Sequence, residues 1–349
     1  MLIYVSLIGA GIISVLGFIF IRPLAVMLGA KGEILECCVL YGKILIPTTF
    51  AFILQNEFQA FMIVAEKPQF GLFITVGAGV TNIVLDALFV AGFEWGLTGA
   101  AFATAISQLV GGAIPLIYFI RSKNSPLRLV KAPFDGKSLA KACLNGSSEM
   151  MTNISMSVVT ILYNFQLMRF AGDDGVAAYG VIMYINFIFI SAFLGYCIGV
   201  SPVISFNYGA QNHAELRKLL KMSLVIISAF AIVMTTASLS LAKPLSKIFV
   251  GYDKVLFDMT VRGFTVFCFS FLLAGFNIFG SAFFTALNNG LVSAIISFLR
   301  TLLFQVAAVL ILPEILGLDG IWISIIAAEL FSLLVVTLFI IKKKSTYNY

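Results

Sequence analysis

Charge is what this chain has least of. Lys, Arg, Asp and Glu make up 11% of its 349 residues, against 60% hydrophobic residues and a mean hydropathy of +1.05. Soluble globular domains carry about 25% charged residues, so a water-bounded core is excluded and the chain reads as an integral membrane protein. Histidine is scarcer still: His213 stands alone, with no Cys or paired carboxylate near it in the sequence. A Gly-rich phosphate loop with its Lys is also missing, so ATP hydrolysis and the familiar catalytic constellations are excluded, and the chain is not read as an enzyme. Cys37, Cys38, Cys143, Cys197 and Cys268 lack metal-ligand spacing and read as small apolar packing residues. No basic segment with a small-residue cleavage site surrounds Met1, so the chain is expected to start inside an apolar span.

What is present is a series of long apolar runs. Each is long enough for the about 20 helical residues that cross a hydrocarbon layer, and none alternates as a barrel strand would. The expected class is an all-α membrane protein with about ten transmembrane helices, at 3–28, 38–63, 69–92, 97–120, 142–168, 175–203, 219–242, 257–286, 290–312 and 317–341. Basic residues collect on one side: Arg121, Lys123, Arg128, Lys131, Lys137 and Lys141 in the longest linker, Arg217, Lys218 and Lys221 after the sixth helix, and Lys342, Lys343 and Lys344 at the end. Loops with Asp173, Asp174, Glu94, Glu314 and Asp319 are poor in them, although Lys243, Lys247 and Lys254 run against the pattern. Basic residues near span ends resist translocation, so both termini are expected in the cytoplasm. The net charge of +6 is then a topological signal, and no nucleic-acid partner is expected.

Residues 1–122 repeat in register at 222–343. Arg22-Pro23-Leu24 answers Lys243-Pro244-Leu245, Gly42 answers Gly263, Asn56-x-Phe58 answers Asn277-x-Phe279, and Gly96-Leu97-Thr98-Gly99 answers Gly317-Leu318-Asp319-Gly320, all at an offset of 221. Such internal repeats are a frequent build of secondary transporters. Residues 140–221 have no counterpart before residue 1. The expected organisation is a four-helix first lobe over 1–122, a cytoplasmic linker over 123–139, a six-helix second lobe over 140–343 and a cytoplasmic tail over 344–349. The parent plan is six plus six with the first two helices missing, and substrate is expected between the lobes near mid-membrane.

A carboxylate at mid-bilayer depth is disfavoured by about 2.5–3.5 kcal/mol, so each one needs a partner or a task. Glu57, Asp86, Glu149 and Glu329 are the candidates. Asn82 lies one helical turn before Asp86 on the same face, a pair suited to a sodium ion or to a proton carried on the carboxylate; a buried Asp satisfied by a neighbouring helix is the plainer alternative. Asn56 and Gln59 share adjoining parts of one face, for interhelical hydrogen bonds or for the ion, with Glu57 turned about 100° away. Glu149, Asn153 and Asn164 form a polar stripe suited to a substrate cavity, to which Glu57 and Glu329 are further candidates, while Glu149 alone also fits a helix N-terminus. Glu329 is either a second proton site or a structural partner of Arg300, which is a counter-charge for one of these acids.

Several segments carry a resemblance. Ser201-Pro202-Val203-Ile204-Ser205-Phe206-Asn207-Tyr208-Gly209-Ala210-Gln211-Asn212, Thr81-Asn82-Ile83-Val84-Leu85-Asp86, Gly99-Ala100-Ala101-Phe102-Ala103-Thr104 and the stretch from Gly317 to Trp322 resemble the multidrug and toxic compound extrusion (MATE) family of cation-coupled antiporters. The resemblance implies twelve helices in two lobes around an alternately opening cavity, exporting cationic or amphipathic compounds in exchange for protons or sodium, with no other cofactor. It implies that these ten helices match the family's third to twelfth. It further implies that Asn82, Asp86 and Thr104 occupy the family's first-lobe cation site, with the fourth-helix Asn at or next to Gln59 and nearest Asn56. The first-helix Asp of that site has no position in this chain. A monomer of a bacterial cytoplasmic membrane is expected; the alternatives are a flippase for lipid-linked precursors and a transport-inactive truncated remnant.

Overall fold

A computed structural model describes residues 1–27, 30–121 and 134–349. Among the described residues the chain is helical with short turns, in nine rods: α1 Leu2–Met27, α2 Gly32–Val64, α3 Pro68–Gly92, α4 Gly96–Arg121, α5 Gly136–Gly209, α6 His213–Val250, α7 Lys254–Ala286, α8 Gly290–Leu316 and α9 Leu318–Tyr347. Each is long and apolar enough to span a membrane, the build of a multi-pass membrane protein. Two compact units result, Met1–Leu139 and Ala140–Tyr349.

α5 has 74 residues and as one straight rod would measure about 110 Å. It is not straight. The rings of Tyr163 and Tyr179 stack at 5.0 Å, whereas sixteen residues of unbroken helix would hold them about 24 Å apart. The chain reverses at Gly172, whose φ of 64° and ψ of −152° only glycine adopts readily. α5 therefore makes two passes, and the ten expected spans all have counterparts. Asp173 and Asp174, expected in a loop, belong to the start of its second arm.

In the first unit, α4 buries a row of small residues, Gly99, Ala101, Ala103, Ala105, Gly111 and Gly112, that lets neighbouring backbones come close. A methyl group on Gly112 would sit 2.6 Å from Ala51 O of α2. Leu54, Phe58, Met62, Ile74 and Phe119 form the core, with the Phe58 and Phe119 rings stacked at 5.4 Å. α2 carries a single 3-10 turn at Ile46–Thr48, where Pro47 lacks the N–H of a regular helix.

In the second unit α7 is central, burying Phe264, Phe271, Phe279, Phe283 and Phe284. The repeat has a structural meaning here. Gly96 and Gly317 take positive φ, 55° and 61°, at the turns into α4 and α9. One turn later a methyl on Gly99 would meet Phe89 Cβ at 2.9 Å, and one on Gly320 would meet Leu312 O at 2.3 Å. In both copies the first glycine makes the turn, and the second lets the new helix lie against the preceding one.

Two boundaries differ from expectation. α5 begins at Gly136, its first turn held by Asp135, whose Oδ1 accepts from Lys137 N at 3.0 Å, so part of the expected 123–139 linker is helix. Residues 123–133 of that linker, with Lys123, Arg128 and Lys131, lie outside the described residues. Residues 344–349 do not form a separate tail: α9 runs on to Tyr347, and Tyr347 and Tyr349 are buried in the second unit.

Candidate cation-coupling site

In α3 the buried positions Gly71, Ile74 and Ala78 define the face turned to the core. Asn82 lies about 50° and Asp86 about 90° round the helix from that face. Both are half-buried, and Asn82 Nδ2 and Asp86 Oδ1 are shielded from solvent with no hydrogen-bond partner. A buried carboxylate oxygen left without a donor is costly unless a cation or proton occupies it.

Thr104 comes to the same level. The Phe89–Gly99 contact fixes the α3–α4 register; counting from it, Thr104 falls between Asn82 and Asp86 in depth, about 3 Å from each along the axis. The structure does not bring Asn56 to them. Asn56 lies about 160° round α2 from the Leu54–Phe58–Met62 core face, is exposed, and donates to Phe52 O of its own helix at 2.9 Å. Gln59 lines a narrow crevice with Gln55, Thr75 and Gly111. Glu57 is half-buried; Ser6 of α1 donates to its Oε1, and its Oε2 is buried with no partner.

In the second unit Glu329 and Arg300 find each other. Arg300 Nη2 donates to Glu329 Oε1 at 2.8 Å and Nε lies 3.0 Å from both carboxylate oxygens. Asn277 Nδ2 adds a bond to Oε2 at 2.6 Å. Of the two alternatives for Glu329, this geometry is that of the structural partner. Arg300 sits in a π-helical stretch, Leu299–Phe304, a local widening that recurs at functional sites.

Glu149 does not open a helix. It lies thirteen residues into α5, beyond the reach of the N-terminal dipole, so that explanation for it falls. Glu149 and Asn153 are exposed and Asn164 is half-buried. The stripe stands about 130° from the buried face of Ser148, Ser155 and Val159, pointing away from the core of its own unit. Asn153 Nδ2 donates to Glu149 O at 2.8 Å.

Two partners escaped the sequence reading. Ser6 is one hydroxyl in an apolar run and gives no signal; Asn277 was marked by the repeated Asn-x-Phe pattern but not as part of a polar cluster.

The sequence model described as MatE matches residues 1–88 and 150–310. The chain belongs to this family. MATE proteins are membrane transporters and not enzymes, and the MATE chain described here shares that class. It is 24% identical over 314 residues to the multidrug export protein MepA of Staphylococcus aureus (strain NCTC 8325 / PS 47), covering 89% of this chain and 68% of the relative. To MepA of Staphylococcus saprophyticus it is 26% identical over 327 residues, covering 91% and 70%. Its fold is that of a crystal structure of MATE in complex with MaL6, at a TM-score of 0.93 with 22% identity over 99% of this chain and 78% of that one. An outward-facing multidrug resistance MATE family transporter of the MOP superfamily is similar at a TM-score of 0.92 and 23% identity, with the same coverage.

Proposed function

We propose that this MATE chain exports small cationic or amphipathic compounds by antiport against protons or sodium, with access alternating between the two sides of the membrane. The observation that carries the reading is Asp86: a carboxylate in a membrane-spanning helix whose Oδ1 is buried without a donor, one turn from Asn82. Such an oxygen is a place for a cation or a proton. The relatives' designation as multidrug export proteins supports the substrate class. The coupling ion sits on Asp86 and Asn82 with Thr104 in support, and no other cofactor is needed. Glu149 and Asn153, exposed and turned out of their unit's core, are the carboxylate and amide offered to a cationic substrate.

The protein works as a monomer in a bacterial cytoplasmic membrane with both termini inside, as the distribution of Lys and Arg supports. A flippase for lipid-linked pyrophosphates is less well supported, because Arg300, a cation inside a span, is already bidentate to Glu329.

The test is ethidium efflux from cells expressing Asp86→Asn at wild-type membrane abundance. Efflux is expected to be lost. Unchanged efflux overturns the assignment of coupling to Asp86.

A further inference from the structure

Two basic runs far apart in the sequence meet at one end of the second unit. α9 leaves its apolar stretch at Ile341 and continues through Lys342, Lys343 and Lys344. α6 starts at His213 and carries Arg217, Lys218 and Lys221 before its apolar stretch opens at Met222. Two polar contacts join them: His213 Nδ1 lies 3.1 Å from Tyr347 O, and Arg217 Nη2 donates to Asn348 O at 3.4 Å; Asn289 of the α7–α8 turn adds a third hold on α9, Nδ2 donating to Tyr347 Oη at 2.7 Å.

The end of the chain is seated firmly. Asn348 takes a left-handed φ of 54°, which stops α9 and turns Tyr349 inward. Tyr349 is 2% exposed, packs its ring 5.1 Å from that of Phe283, and donates from Oη to Ile340 O at 2.9 Å. Burial pushes its phenol up, which keeps the hydroxyl a donor.

The contacts also bring the two runs close. His213, Arg217 and Lys221 recur every fourth residue along one stripe of α6. α6 and α9 meet at their ends, His213 with Tyr347 and Arg217 with Asn348, and Lys342–Lys344 precede Asn348 by about one to two helical turns. Arg217, Lys218, Lys221, Lys342 and Lys344 are exposed. Among the described residues, Glu215 is the one carboxylate ion-paired within this group, 3.3 Å from Lys218.

We propose that this patch binds the headgroups of anionic phospholipids, and that the Tyr347–Tyr349 segment is the latch that assembles it. Both runs lie immediately beyond apolar spans, which is headgroup depth, and Lys and Arg stems reach along the apolar boundary to lipid phosphates. Basic residues that served topology alone would act wherever their helix end lay and would not need the latch.

The test uses the full chain in detergent, with native mass spectrometry and thermal unfolding after adding phosphatidylglycerol, phosphatidylcholine or inorganic phosphate at matched concentration. Phosphatidylglycerol is expected to stay bound and raise the unfolding midpoint, less so at high salt, while the other two do not. Lys221→Gln with Lys344→Gln, both exposed and neither side chain part of the contacts that seat the chain end, is expected to weaken retention by about fivefold for each charge removed. Tyr347→Ala, which keeps every basic residue, is expected to weaken it as well. Wild-type retention in Tyr347→Ala overturns the latch, and wild-type retention in the double variant overturns the patch. Stabilisation by phosphatidylcholine or phosphate equal to that by phosphatidylglycerol overturns the lipid assignment.

Discussion

Arg300 and Glu329 form a buried pair between α8 and α9, their side chains 15% and 4% exposed, with Nη2 2.8 Å from Oε1. Asn277 of α7 completes the donor set. Glu329 thus has donors on both oxygens, whereas Asp86 and Glu57 each keep one buried oxygen without any. The membrane carboxylates, alike in the sequence, are separated by their partners.

Glu329→Gln leaves the Arg300 charge buried without its counter-ion, and is expected to destabilise the protein by about 3–5 kcal/mol. Arg300→Met combined with Glu329→Leu removes both charges and is expected to recover most of that loss. Unfolding midpoints followed by size-exclusion chromatography of heated samples measure both. A double variant no more stable than the single one would show that the pair is not a mutual compensation.

Gly172 and Gly317 have backbone angles closed to other residues, while an added methyl group would meet nothing within 4 Å at either. Alanine there is expected to cost about 1–3 kcal/mol from backbone strain alone. Gly146→Ala and Gly199→Ala, also in open space but inside regular helix, are expected to gain about 0.5–1 kcal/mol. Opposite signs in the two sets of melting shifts are the outcome that checks this.

Gly320→Ala is expected to be more disruptive than Gly99→Ala, although the two positions correspond in the repeat. The methyl group meets backbone in both cases, Leu312 O at 2.3 Å and C at 2.5 Å in the first, Phe89 Cβ at 2.9 Å and backbone C and O at 3.0 Å in the second, so the helices must move further apart to admit it at Gly320. Yield of folded protein under matched expression ranks them.

Ser6→Ala removes the donor to Glu57 and leaves both carboxylate oxygens unbonded in the first unit. The expected loss is about 1–3 kcal/mol. Combining it with Glu57→Leu, which removes the stranded acceptor, is expected to restore the midpoint; additive losses would argue that the two side chains act separately.

Much of the fold was legible because membrane spans are set by composition over about 20 residues, which needs no partner to be read. The glycine pair in each Gly-Leu-x-Gly segment was visible as a repeat, and its geometry follows from two local requirements, a positive φ and a missing Cβ. The start of α5 was misplaced because Gly136 to Lys141 is polar, and hydropathy sees only the part of a helix that lipid covers. The expected tail was misplaced for a related reason: three lysines look like an end, while Tyr347 and Tyr349 are held by residues of α6, α7 and the α7–α8 turn.

The sequence by itself determined the membrane class, the spans, the repeat and the MATE likeness, along with the pairing of Asn82 and Asp86 on one helical turn. These depend on spacing along the chain, and a helix converts spacing directly into a shared face. Only the tertiary structure decided that Arg300 belongs to Glu329, that Ser6 serves Glu57, that Asn56 faces away from the core of the first unit, and that the start of α6 meets the end of α9. Those are matters of which helix lies beside which, and at what rotation and depth, and that information is carried by packing between distant segments and by no local pattern.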